Sequence, residues 1–150
     1  MRTYLVVIDE TGEARAALRF AARRAARTGG AVEIVALVPP AEFVQWGGVQ
    51  AAMEEEARLR AEAMVAEASG AILEEAGVKP SVSIHRGEPV KVVSEYLKSH
   101  PDIAALVLGA AADGPGPLIQ HFAGAAAGTL PCPLMIVPGG LDAAALDRLS

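Results

Sequence analysis

Asp9 directly follows the apolar run Tyr4-Leu5-Val6-Val7-Ile8. The end of a buried strand is where a polar side chain can be delivered to a ligand. An aspartate there can also start the next helix as a turn or N-cap residue, and Thr11 and Glu13 offer similar capping. A second segment, Gly109 to Pro117, reads GAAADGPGP and follows another apolar run. Glycines between a strand and a helix can present backbone N–H groups to a phosphate, usually with a cation nearby. Here Pro115 and Pro117 remove two of those donors, and Asp113 stands inside the loop. No Lys or Arg occurs between Ser99 and Asp147, and no Gly-x-x-x-x-Gly-Lys motif is present. A polyphosphate would lack local countercharge. The plainer reading is a stiff turn that opens a helix at Pro117. Magnesium bridging Asp113 to a phosphate is the alternative.

Other reactive types are scattered. His85, His100 and His121 form no pair at metal-ligand spacing, so no metal site is expected. Cys132 lies between two prolines and reads as a small buried hydrophobe. No serine stands in a Gly-x-Ser-x-Gly elbow, and no acid–base pair can be assembled, so no catalytic residue is assigned. Glu88 reads as a first-turn carboxylate favoured by a helix dipole. Arg15, Arg19, Arg23 and Arg27 recur every four residues as one helical ridge. It reads as a solvated face, or else as a docking surface for an acidic partner such as Glu54–Glu56 of another subunit. Phe43 and Trp46 lie in the segment after Pro39-Pro40, where packing is expected and an apolar lid is the alternative.

The elements that must position these residues alternate regularly. Short runs at 4–8, 31–38, 81–86, 103–109 and 134–137 read as strands, that at 4–8 buried on both faces and that at 103–109 also buried. Helical periodicity fills 13–28, about 49–76 and the stretch after Gly87-Glu88-Pro89. A helix from about Pro117 and a short one over 141–149 complete the series. This β-α order predicts one α/β domain over 1–150, with a five-stranded parallel sheet between two helical layers. Ligands on such sheets bind beyond the carboxyl ends of the strands.

The chain has 150 residues, of which 52% are apolar and 21% charged, with net charge −5. That composition excludes a disordered chain and argues against nucleic acid as a partner. The single cysteine excludes an internal disulfide and fits a reducing compartment. No run is long enough to span a membrane, and the N-terminal apolar run stops at Asp9, unlike a signal peptide. A cytoplasmic protein is expected.

Four features resemble the universal stress protein (UspA-like) family over essentially the full length. "VVIDETGEARAALRFAARRA" is similar to the family's first strand, its aspartate (Asp9) and the helix that follows. "HRGEPVKVVSEYLKSHPDIAALVLGA" is similar to its Gly-x-Pro helix start and the buried strand ending in glycine. "LPCPLMIVP" is similar to its terminal strand, and the long acidic helix also fits. The resemblance implies a Rossmann-like fold of the adenine-nucleotide alpha-hydrolase type. It implies that Asp9 could meet a ribose or adenine. Many members bind ATP through Gly-x-x-Gly, nine residues, then Gly-Ser or Gly-Thr. Gly109 matches the first glycine, Ala112 stands at the second, and Phe122-Ala123 replaces the final pair. Gly124 would serve only after a two-residue shift. Members with this broken motif are regarded as the branch that does not bind ATP strongly.

The leading expectation is therefore a non-enzymatic stress-response regulator that requires no cofactor. The alternatives are a switch binding ATP or AMP with magnesium, and a weak nucleotide hydrolase. A nucleotide would engage Asp9, Thr11, Val38, Gly109, Ala112, Gly114, Gly116 and Gly124. A homodimer is expected through Leu134, Met135, Ile136 and Val137, because the last strand would lie at the sheet edge with unpaired backbone groups. The resemblance implies the same mode.

Overall fold

The computed structural model describes residues 2–9, 11–38 and 47–150, with side chains for all of these but 47–50. The Phe43–Trp46 segment lies outside the described residues. The strands are β1 (Thr3–Ile8), β2 (Ala31–Val38), β3 (Ser81–Arg86), β4 (Ile103–Ala110) and β5 (Leu134–Pro138). The helices are α1 (Gly12–Thr28), α2 (Gly47–Ala76), α3 (Pro89–Ser99), α4 (Gly116–Gln120) and α5 (Ala143–Leu149). All strand pairs are parallel, in the order β3-β2-β1-β4-β5. The expected fold class is thus the observed one. No helix among the described residues is long and apolar enough to cross a membrane.

Alternate side chains of the central strands enter two cores. Tyr4, Val6, Ile8, Ile34 and Val107 pack under α1, α2 and α5. Leu5, Val7, Val35, Leu106 and Leu108 pack under α3 and α4. All six residues of β1 are buried, which explains its unbroken apolar run. Helix α1 lies on the sheet through a stripe of alanines, including Ala14, Ala17, Ala21 and Ala25, and Gly29 ends it at φ 65°. Glu88 is the N-cap of α3 and not a residue of its first turn: its carboxylate accepts the N–H groups of Val90 (3.0 Å) and Lys91 (2.9 Å), with Pro89 next. Beyond α4 the chain winds wider, with Ala126 N–H donating to the His121 carbonyl at 3.0 Å.

The arginine ridge is solvated at Arg15 and Arg27, while Arg19 and Arg23 are half-buried in contacts with neighbouring helices. Arg19 grips Asp147 of α5 with two bonds of 2.9 and 3.0 Å, and Arg23 Nε lies 3.0 Å from the same carboxylate. Arg27 donates to the Asp147 carbonyl at 3.0 Å. Arg19 also meets Glu75 of α2 at 2.8 Å, and Arg15 meets Glu67 at 3.6 Å. The Arg19 bond holds the Asp147 carboxyl below the usual range, against a smaller opposing effect of burial. The ridge therefore ties the two flanking helices to α1.

At the other side of the sheet Tyr96 of α3 donates to Glu33 of β2 at 2.8 Å and stacks on His100, with ring centroids 3.9 Å apart. Burial first, then Glu33, pushes the Tyr96 phenol up to about 12. A raised pKa favours the neutral phenol in the fold. Its stabilising effect is complete below the ordinary tyrosine value near 10 and is lost as pH rises toward about 12. In an ultraviolet tyrosinate titration, a late-ionising step is expected, and Tyr96→Phe should remove it.

Candidate functional site

The strand order reverses direction between β1 and β4. From β1 the chain moves outward to β2 and β3, and from β4 outward to β5 on the other side. A crevice opens at such a point beyond the strand ends. Here it is a cleft of about 220 Å³ walled by Asp9, Thr11 and Glu13 on one side and Gly109, Gly116 and Pro117 on the other.

The turn from β1 into α1 builds the first wall. The Asp9 carboxylate accepts the Thr11 N–H at 3.0 Å and the Thr11 hydroxyl through the same oxygen. This is the self-bonding turn for which short acidic side chains are suited. Thr11 occupies the N-cap position of α1, yet its own side chain caps nothing, because the hydroxyl is turned to Asp9. Glu13 sits in the first turn of α1, where the helix dipole favours a carboxylate.

Gly109 builds the second wall and has a packing duty. A Cβ placed on it would lie 2.0 Å from the Glu13 carbonyl oxygen and 2.5 Å from its carbon. Gly139, which follows β5, approaches the same residue: its Cβ would lie 2.8 Å from both Glu13 Cβ and the Ala110 oxygen. Only residues without side chains let the first turn of α1 settle onto the ends of β4 and β5. Gly139 was not singled out from the sequence. The signal was present in the Gly139-Gly140 pair after a strand, but its partner Glu13 is remote in the chain.

Of the sequence-derived positions, Asp9, Thr11, Gly109 and Gly116 line the cleft, while Val38, Ala112, Gly114 and Gly124 do not. The Val38 side chain is buried, and its carbonyl accepts the Gly87 N–H at 3.5 Å. Ala112 and Asp113 are exposed. The Gly114 N–H is used within the loop, donating to the Ala111 carbonyl at 3.3 Å. Gly124 lies past α4, where the helix breaks at φ −102°, ψ −107°. Gly116 opens α4 with φ 74°, but that helix has only five residues and sums little dipole. Glu13, Leu37 and Pro89 complete the wall and were not singled out as ligand contacts.

Among the described residues the cleft is lined by two carboxylates and by no Lys or Arg. Its volume falls below the roughly 300–1,000 Å³ of typical small-molecule sites. The described residues hold no cluster of metal-ligating side chains. Cys132 is half-buried, and burial pushes its thiol up, as suits a packing residue.

The model of the universal stress protein family matches residues 1–138. No curated protein matches the chain. Among solved structures, universal stress protein UspA from Lactobacillus plantarum superposes with a TM-score of 0.76 at 18% identity, covering 91% of this chain and 97% of that one. The universal stress protein from Archaeoglobus fulgidus in complex with dAMP gives 0.65 at 18% identity, covering 91% and 97%. A universal stress protein family protein from Arabidopsis thaliana with AMP bound gives 0.56 at 15% identity, covering 92% of each chain.

The glycine contacts make a direct test. Gly109→Ala forces α1 off the sheet or strains β4, and a loss of about 1–3 kcal/mol or more is expected in denaturant unfolding. Gly128→Ala, where an added Cβ meets nothing within 4 Å, should change stability by no more than about 0.5 kcal/mol.

Proposed function

The chain belongs to the universal stress protein family, and on that premise we propose that it is a non-enzymatic stress-response regulator that works as a homodimer in the cytoplasm and holds no ATP tightly. One observation carries the reading on ATP: among the described residues, the cleft at the switch point presents Asp9 and Glu13 and no cation. A phosphate brought within hydrogen-bond range of either carboxylate meets like charge. The nearby sequence cannot relieve this, since no Lys or Arg occurs between Ser99 and Asp147. Gly109, the one glycine of the family motif in its expected place, is already occupied by the Glu13 backbone.

Two fold neighbours hold dAMP and AMP. They favour the second reading, an ATP- or AMP-binding switch with magnesium. Those ligands are smaller in charge than ATP, so AMP is the sharper probe of that alternative.

The dimer reading rests on the edge position of β5, which pairs only with β4. Ile136 is 44% exposed, and Leu134 and Met135 are half-buried. The Val137 side chain is buried in its own core, so it would contribute backbone alone. Pairing across a two-fold axis would satisfy the open edge.

Thermal unfolding with millimolar Mg-ATP, Mg-ADP or AMP should show no shift. A ligand at about 100 times its dissociation constant adds about 2.7 kcal/mol, a rise of several degrees at this size. Such a rise would move the switch reading to first place. In size-exclusion chromatography with light scattering a dimer is expected at micromolar concentration. Ile136→Lys should give monomer, whereas Ile84→Lys on the opposite edge strand should not. A monomeric wild type would end the dimer reading.

A further inference from the structure

A larger cavity lies elsewhere, between α1 and α2. It measures about 500 Å³, more than twice the switch-point cleft, and falls within the usual range for small-molecule sites. Its floor is apolar: Ile8, Ala14, Leu18, Met64, Ala68 and Ile72. Helix–helix contacts in a packed protein leave few voids larger than a water molecule. This one persists because α2 is held shallowly. Among its described side chains only Ala61 and Ile72 are buried, while Met53, Leu59 and Leu73 are exposed. The small side chains of the alanines at 14, 63, 68 and 71 leave the space between the walls unfilled.

The rim settles what could enter. Arg15 pairs with Glu67 at 3.6 Å, and Arg19 with Glu75 at 2.8 Å, both across the mouth from α1 to α2. Arg60 pairs with Glu56 at 3.9 Å, and Asp9 is bonded by Thr11. Every charged group lining the groove therefore already has a partner. A charged ligand would compete with these pairs, while an uncharged one leaves them intact and covers the apolar floor. We propose that the groove between α1 and α2 is a binding site for an uncharged, largely apolar small molecule. The groove shares Asp9 and Ala14 with the switch-point cleft but apart from Asp9 and Ile8 is lined by α1 and α2, and the proposal does not rest on the function proposed above.

The test uses the intact protein and Nile red, a neutral dye whose emission shifts in apolar surroundings. One saturable site per chain is expected, with affinity unchanged by salt. Ala71→Phe and Ala63→Leu, which project into the groove from exposed positions of α2, should each weaken binding at least tenfold while circular dichroism and melting temperature hold. Ile84→Lys, at an exposed apolar site on β3, should leave binding unchanged. The absence of saturable binding, or loss with Ile84→Lys in place of the groove variants, would overturn the proposal. Tighter binding of an anionic naphthalene sulfonate dye, abolished by Arg15→Ala, would overturn the assignment to uncharged ligands. Dye release as protein concentration rises would mean that a second copy covers the groove, and would overturn the small-molecule reading.

Discussion

Much of this structure depends on one close approach. The backbone of Glu13 lies where a side chain on Gly109 would have to be, and the body of Glu13 lies where one on Gly139 would have to be. Two glycines on neighbouring segments thus set the height of α1 above the sheet at its carboxyl end. The Gly139 N–H donates to the Ala110 carbonyl at 2.7 Å, which holds the chain after β5 against β4 at the same point. Interiors pack too densely for a methyl group to be absorbed there without moving a backbone. Because α1 is brought so low, its first turn and the turn leading into it carry Glu13, Asp9 and Thr11 into the crevice between β1 and β4. The contact that fixes the fold also fills the space beside Gly109 and lines the crevice with acid.

The rest of α1 is held by a different force. Alanines let its body lie on the sheet, and its outer edge is held by arginines that reach α5 and α2. Asp147 receives Arg19, Arg23 and, through its carbonyl, Arg27. Surface ion pairs are weak singly, but a bidentate pair with further cations forms a network with defined geometry. Leu146, the neighbour of Asp147, is buried beneath this clasp, so α5 is docked by one apolar contact and one charged cluster.

The fold was legible because each level agreed with the next. The unbroken apolar run of β1, the glycine stop after α1 and the Glu88-Pro89 helix start each have a local cause, and each stands where its residues put it. Partnerships between remote residues were not legible. The four-residue spacing of the arginines showed a ridge but could not show Asp147, more than a hundred residues away. Helical periodicity over about 49–76 marked α2, yet among its described side chains only Ala61 and Ile72 are buried. Periodicity reports which face turns inward, whereas depth depends on the helix lying over the β2–β3 side of the sheet. At the candidate site, Asp9 and Gly109 were legible as strand ends. The packing role of Gly109 was not, because it belongs to the pair it forms with Glu13.

The distribution of positive charge connects these points. Arginines line α1 and α2, and those on the inner rims are paired with acids of the same chain. Arg86, at the carboxyl end of β3, is paired with Glu54 of α2 at 3.6 Å. None lines the cleft at the end of β1 and β4. A protein that grips phosphate must bring cations or free N–H groups to that edge. This chain instead commits its arginines to holding helices together, and turns a glycine of its loop to packing. The crevice is left acidic and small, while the larger cavity, under α2, is closed to charge by pairs that already satisfy each other. Within the groove between α1 and α2, a ligand would therefore meet apolar carbon beside charges that already have partners.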